Sequence, residues 1–320
     1  MIEVIGSFAT IGLVLWLLLS IVFVLFYPVI RPALMATHPR NGSFLLLAYW
    51  SGPFLVSLFC TCLLYMPGLE SLLVDAHCHA DCGDHLPVLG STGLAFVAIG
   101  LSLGILLLLT VRVVVNLLAG WRMQHEFAVL SHGGRRFRVI ASDRPLVFTL
   151  GWWRPQIYFS EALLQQCTPG QLDVILSHEQ EHSRRRDNLR LLLVRAFGLL
   201  LPARFYGQIK SDARSLIEQA CDFRAAETYG AFAVAETLLH IQRLMQGLAQ
   251  DVPRHAAAFL ECDVETRITA VLEGRSRIVL SDAQVLVLMV LLAGCFMATV
   301  APLHHASERM IALLTTGLFL

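Results

Sequence analysis

The stretch Ser177-His178-Glu179-Gln180-Glu181-His182 sets two histidines four residues apart, with a glutamate directly after the first. On a helix such histidines share a face, with Cβ atoms about 6 Å apart. Both imidazoles can then reach one zinc ion at about 2.1 Å. Glu179 stands where its carboxylate can take the proton of a water at that ion. A charged, solvated helix face is the bland alternative for the same letters, so the weight of the pattern rests on its context. That context comes in residues 211–227, a run of good helix formers without Pro or Gly. Here Glu218 and Asp222 lie four apart on one face. A catalytic zinc takes three protein ligands and keeps one position open, and two histidines with a glutamate form one such set. A carboxylate one turn further can accept the proton on the far nitrogen of a ligand imidazole. The residue types therefore predict a zinc site of His178, His182 and Glu218, with Glu179 as catalytic base and Asp222 supporting a ligand. Cys221 lies beside Asp222 but is not required as a ligand.

These residues need helices to hold them. Thr168 suits an N-cap, Pro169 the first helical position, and Gln171 the third position of a capping box. Apolar residues at 172 and 174–176 predict a helix buried before it reaches the histidines. Arg184, Arg185 and Arg186 read as a solvated or headgroup-facing run. Residues 191–201 are apolar but too short to cross a bilayer, which predicts a core or membrane-lying helix. Upstream, residues 136–140 alternate like a strand, and 145–150 and 156–160 form a hairpin around Gly151-Trp152-Trp153-Arg154-Pro155. The edge of such a sheet can pair with an extended peptide, or the hairpin is purely structural. Helices follow at 231–246 and 264–272, the latter around Glu265 and Arg267, and read as packing elements.

The chain is 56% hydrophobic and 15% charged, which fits an integral membrane protein. Net charge is zero, giving no sign of a nucleic-acid partner. Four stretches reach the roughly 20 residues needed to span: 4–30, 44–66, 86–118 and 283–303. The first lacks a basic start and is too long for a removable signal, so it is expected to be an anchor. Arg31 and Arg40 follow the first span, the link after the second has no Lys or Arg, and Arg112 and Arg122 mark the end of the third. The positive-inside rule then sets the amino terminus outside and residues 119–281 inside.

The fold expected is an α-helical membrane protein with four transmembrane helices and a cytoplasmic, mainly α zinc metallopeptidase domain carrying a small β-sheet. Residues 1–118 form three spans with an external loop at about 67–85, residues 119–281 the peptidase domain, 282–303 the fourth span and 304–320 a short external tail. The location expected is the bacterial cytoplasmic membrane.

With His178-Glu179-x-x-His182, Glu218-x-x-Cys221-Asp222, the preceding hairpin and the four spans in place, the chain resembles the BlaR/MecR type of signal-transducing membrane metallopeptidase. The resemblance covers nearly the whole chain. It implies zinc at His178, His182 and Glu218, Glu179 as base, Asp222 in support, and a protein substrate such as a cytoplasmic transcriptional repressor. Those receptors carry a large external penicillin-binding domain after the fourth span. Here only about residues 304–320 follow, with no serine-x-x-lysine motif, as in a short form responding to another signal. One alternative is the HtpX type of quality-control protease, but that type sets two spans between its histidine motif and its glutamate, and only one short apolar run lies between His182 and Glu218. The other is a zinc-containing membrane signalling or binding protein without proteolysis. The lipid bilayer is a partner on any reading, and self-association stays open.

The external link gathers His77, Cys78, His79, Cys82 and His85 with three aspartates. Thiolate and imidazole there can hold zinc or copper, or Cys78 and Cys82 can close a disulfide. The arginine asymmetry yields a direct test. A topology reporter fused after Asp84 is expected to report the exterior, and one after Gln250 the cytoplasm. The reverse result at both sites overturns the orientation.

Overall fold

A computed structural model describes residues 1–66, 92–134, 136–198, 201–246 and 264–274, with a few isolated helical positions between 284 and 306. The His/Cys link expected to be external and nearly all of the fourth expected span lie outside the described residues. The chain divides into two compact units: residues 1–30, 48–110 and 280–320, and residues 31–47 and 111–279.

The first unit is built from apolar helices. Helix α1 covers Ile2–Ala36, α2 Pro39–Leu64 and α3 Thr92–Leu130, and each is long and apolar enough to cross a membrane. Lipid offers no hydrophobic drive between helices, so close approach rests on small residues and on local hydrogen bonds. Gly6 of α1 lies so near Ala95 of α3 that a Cβ would collide with it, and Gly12 sits against Thr61 of α2. Ile11 and Leu15 pack on Cys60, Leu63 and Leu64. The Tyr49 hydroxyl donates to the Phe23 carbonyl at 2.7 Å.

The second unit carries the chemistry. Helix α3 continues to Leu130, well past the apolar run, and leads into β1 (Ser131–His132) and β2 (Arg138–Ile140). Strands β3 (Val147–Leu150) and β4 (Gln156–Ser160) form the expected hairpin. The sheet order is β1-β2-β4-β3, with β2 and β4 parallel and the other pairs antiparallel, so β3 is an edge. The hairpin tip rests on α3. The Trp152 indole N–H donates to the Leu117 carbonyl at 3.1 Å, and its ring occupies the space a side chain at Gly120 would need.

Ser160 ends β4 and caps the short α4 (Glu161–Gln166). Thr168, Pro169 and Gln171 start α5 (Pro169–Arg185) with a complete capping box, as their types predict. One face of α5 packs on the sheet through Ile175 and Leu176 against Val147, Ile157 and Phe159. Val174 packs on Ala225, Val234, Leu238 and Val271, from the later helices. Those are α6 (Asp187–Phe197), α7 (Ala203–Tyr229), α8 (Ala231–Gln246) and α9 (Val264–Glu273). The link between α1 and α2 joins this unit: Arg31 makes a paired contact with Asp212 of α7 at 2.7 and 2.8 Å.

The arginine run departs from the solvated reading. Arg184 is exposed but folds onto buried Glu181, with contacts of 2.6 and 2.7 Å. Arg185 is buried, bonded to Ser43 and Asp187. It faces inward because the helix turns there: Arg186 closes α5 in the left-handed region, at φ 54° and ψ 49°. That conformation costs an L-residue roughly 1–2 kcal/mol, partly offset by the flexibility a glycine would lose on folding. Arg186→Gly is therefore expected to leave thermal stability unchanged or raise it by up to about 1 kcal/mol. A loss above about 1 kcal/mol in denaturant or thermal melts shows that the Arg186 side chain itself holds the turn.

Candidate metal centre

Helices α5 and α7 set the predicted residues face to face. His178 and His182 point their Nε2 atoms at each other, 3.1 Å apart. Glu218 lies against both, its carboxylate oxygens 3.4 Å from His178 Nε2 and 3.6 Å from His182 Nε2. A tetrahedral ion with bonds of about 2.1 Å has donor–donor edges of about 3.4 Å, so these spacings fit a shared zinc. Nitrogen and sulfur atoms of His178, His182 and Cys221 also fall within 4.8 Å of one another, a second candidate group. Its sulfur stands 3.3 Å from His182 Nδ1, behind the ring, whereas Glu218 stands beside both Nε2 atoms. The convergent set is His178, His182 and Glu218, and burial pushes the Cys221 thiol up to about 12, which keeps it a neutral bystander there.

Each imidazole is held from behind. His178 Nδ1 meets Asp222 at 2.9 Å, where Asp222 was expected to act. His182 Nδ1 meets Asp187 at 2.9 Å. Both aspartates are buried, and both have an arginine behind them. Arg267 of α9 grips Asp222 with two bonds of 2.7 Å and also reaches Glu218 at 3.3 Å. Arg185 contacts Asp187 at 3.3 Å. Reading α9 as a packing element therefore missed its main contribution, since Arg267 is buried in the site. Asp187 was missed because it follows an arginine run, and only the left-handed turn at Arg186 aims it back at His182. An aspartate five residues past the second histidine is the signal that spacing offered.

The charges explain themselves in pairs. Burial alone would drive the histidine protons off, yet Asp222 and Glu218 beside His178 more than reverse that and raise its pKa. For His182 burial is again outweighed, by the Glu218 and Asp187 carboxylates, and the pKa rises well above the usual value. Burial would raise the carboxyls, but Arg267 dominates and holds Asp222 low, and Arg267 with the histidines holds Glu218 well below the ordinary range. A metal ion bound there would displace the histidine protons.

Glu179 is buried and turned to the sheet. The Thr149 hydroxyl of β3 donates to its Oε2 at 2.7 Å. Asn188 in turn holds β3, donating to the carbonyls of Thr149 at 2.9 Å and Gly151 at 3.3 Å. A cavity of about 340 Å³ opens on His178, Glu179 and Glu218, with Val147, Leu238 and Ile241 among its apolar walls.

Residues 121–257 match the model of peptidase family M48, a family of metallopeptidases that are typically zinc-dependent. No curated protein and no solved structure matches the chain. The match spans the sheet, both histidines, Glu218 and Asp222, and ends before Arg267.

Losing a carboxylate behind a ligand imidazole typically costs 10–100-fold in metal affinity. Asp222→Asn and Asp187→Asn are each expected to weaken zinc binding by that factor in chelator competition, with the fold followed by thermal melting. Unchanged affinity in either variant removes that aspartate from the site.

Proposed function

We propose that this chain is a membrane-embedded zinc endopeptidase, with its active site in a domain of residues 119–281 that faces the cytoplasm. The observation carrying this reading is the convergence of His178 Nε2, His182 Nε2 and the Glu218 carboxylate next to buried Glu179, inside the region matching peptidase family M48. The ligands would be His178, His182 and Glu218.

A zinc ion held there supplies Lewis acidity toward an amide carbonyl and acidifies water at neutral pH. The chain's own groups do the rest. Glu179 takes the proton of the attacking water and returns it to the leaving amine. The Thr149 hydroxyl holds one Glu179 oxygen in place by donating to it. Asp222 and Asp187 fix the imidazole tautomers by accepting from Nδ1. Arg267 keeps Glu218 and Asp222 ionised.

Strand β3 supports a peptide substrate. Leu146 bonds Ser160 of β4, and Phe148 follows the same alternation, so Val147 and Thr149 direct their backbone groups to the open edge. Asn188 takes the Thr149 carbonyl, and the amide and carbonyl of Val147 stay available among the described residues. An extended peptide paired there passes Glu179 and the apolar cavity. A membrane-proximal regulatory protein is the substrate class proposed, with a transcriptional repressor as the case the BlaR/MecR resemblance suggests. The alternative is a zinc-containing signalling protein without proteolysis, or a quality-control protease of the HtpX type.

Glu179→Gln separates enzyme from binder. General acid–base catalysis is worth about 10²–10⁴-fold, so the variant is expected to keep its zinc and lose that much activity. In cells, its substrates accumulate relative to wild type in a membrane and cytosol proteome. A zinc-loaded variant that leaves every protein level unchanged defeats the enzyme reading.

A further inference from the structure

A second cavity, of about 390 Å³, lies where α3 meets α6 and the start of α7. Its walls include Arg112, Val113 and Asn116 of α3, Leu192 and Arg195 of α6, and Tyr206 of α7. Two of these are cations and none of the lining residues is an acid. Neither Arg112 nor Arg195 has an ion-pair partner among the described residues, although other arginines in this unit are matched to carboxylates: Arg31 to Asp212, Arg185 to Asp187, Arg267 to Asp222. The Asn116 amide is spent on the Arg112 backbone carbonyl at 2.7 Å. The Tyr206 ring packs where a side chain at Gly198 would stand, which fixes it as a wall.

Depth identifies the ligand. Arg112 lies six residues, about 9 Å of helix, before the end of the apolar run at Leu118. Its long side chain can therefore snorkel from the apolar run into the headgroup layer. Around it α3 exposes Val111, Val114 and Val115, and α6 exposes Leu193, as lipid-facing surfaces do. Two unmatched guanidiniums over an apolar wall at this depth fit a phosphodiester with acyl chains beside it. Guanidinium forks bind phosphate through paired hydrogen bonds, and basic pockets at span ends hold anionic headgroups.

We propose that this cavity binds the headgroup of an anionic phospholipid, with Arg112 and Arg195 holding its phosphate. The site is separate from the metal centre, so occupancy can be read without any protease activity.

The test is native mass spectrometry of the detergent-purified full chain titrated with phosphatidylglycerol, phosphatidylcholine, inorganic phosphate or glycerol 3-phosphate. Each basic residue at an anionic surface contributes about a factor of five. Phosphatidylglycerol is expected to bind at least tenfold more tightly than phosphatidylcholine. Arg112→Gln/Arg195→Gln is expected to weaken it about 30-fold while zinc content stays unchanged. Should the double variant fail to fold, Arg195→Gln alone is expected to lose about fivefold. Equal binding of the two lipids, or undiminished phosphatidylglycerol binding in the variants, overturns the proposal. So does displacement of the lipid by inorganic phosphate or glycerol 3-phosphate at equal concentration, which marks a free-anion site.

Discussion

Two imidazole nitrogens 3.1 Å apart in a mostly dry space repel whenever both rings carry protons. The surroundings of the candidate metal centre keep them there. Glu218 faces the pair from the front, Asp222 and Asp187 from behind, and Arg267 and Arg185 stand behind the aspartates. A buried charge without a partner costs several kcal/mol, so each layer requires the next. The result alternates in sign outward from the shared point, and a divalent cation at that point would replace the histidine protons rather than add to them.

That arrangement constrains the helices more than apolar packing does. Helix α5 must show Ile175 and Leu176 to the sheet, Val174 to α8 and α9, and both histidines to α7. It is thus enclosed on several sides, and its polar residues survive only because partners come from elsewhere in the chain. Thr149 arrives from β3, Asp187 from the turn, Glu218 and Asp222 from α7 and Arg267 from α9. The left-handed residue at Arg186 is the local cost of bringing Asp187 back under His182. A cost of this size is tolerable because the burial it enables involves several hydrogen-bonded charges.

The membrane enters through one long helix. Helix α3 runs unbroken through the apolar stretch and into the second unit, where the β3–β4 hairpin rests on it through Trp152. The hairpin also supplies Thr149, three residues before Trp152, to Glu179. Three residues of extended chain reach about 10 Å at most. The Glu179 carboxylate is therefore tied to the far end of the third apolar helix by a short, hydrogen-bonded strand. The same helix end carries Arg112, whose charge is unmatched by the described residues around it.

Local pattern was enough for much of this. The capping box at Thr168, the strand at 156–160, the helix at 231–246 and three of the long apolar helices follow from nearest-neighbour chemistry and periodicity, which act within a few residues. His178, Glu179 and His182 were legible because helical spacing alone puts two imidazoles on one face. Glu218 and Asp222 were legible because a third ligand and a proton acceptor one turn apart complete that chemistry. Asp187, Arg267 and Thr149 were not, although all three contact the same cluster. Their positions depend on a left-handed turn, on the docking of α9 against α7, and on the pairing of an edge strand with α5. Arg185 was misread for the same reason: burial of a charged side chain depends on partners 2 and 142 residues away, Asp187 and Ser43. Sequence by itself marked which residues have metal-ligating side chains at helical spacing and which segments are long and apolar enough to cross a membrane, because those depend on residue type and short spacing. Only the tertiary structure decided which charges neutralise one another, because Coulomb and hydrogen-bond energies depend on distance in space and not on separation along the chain.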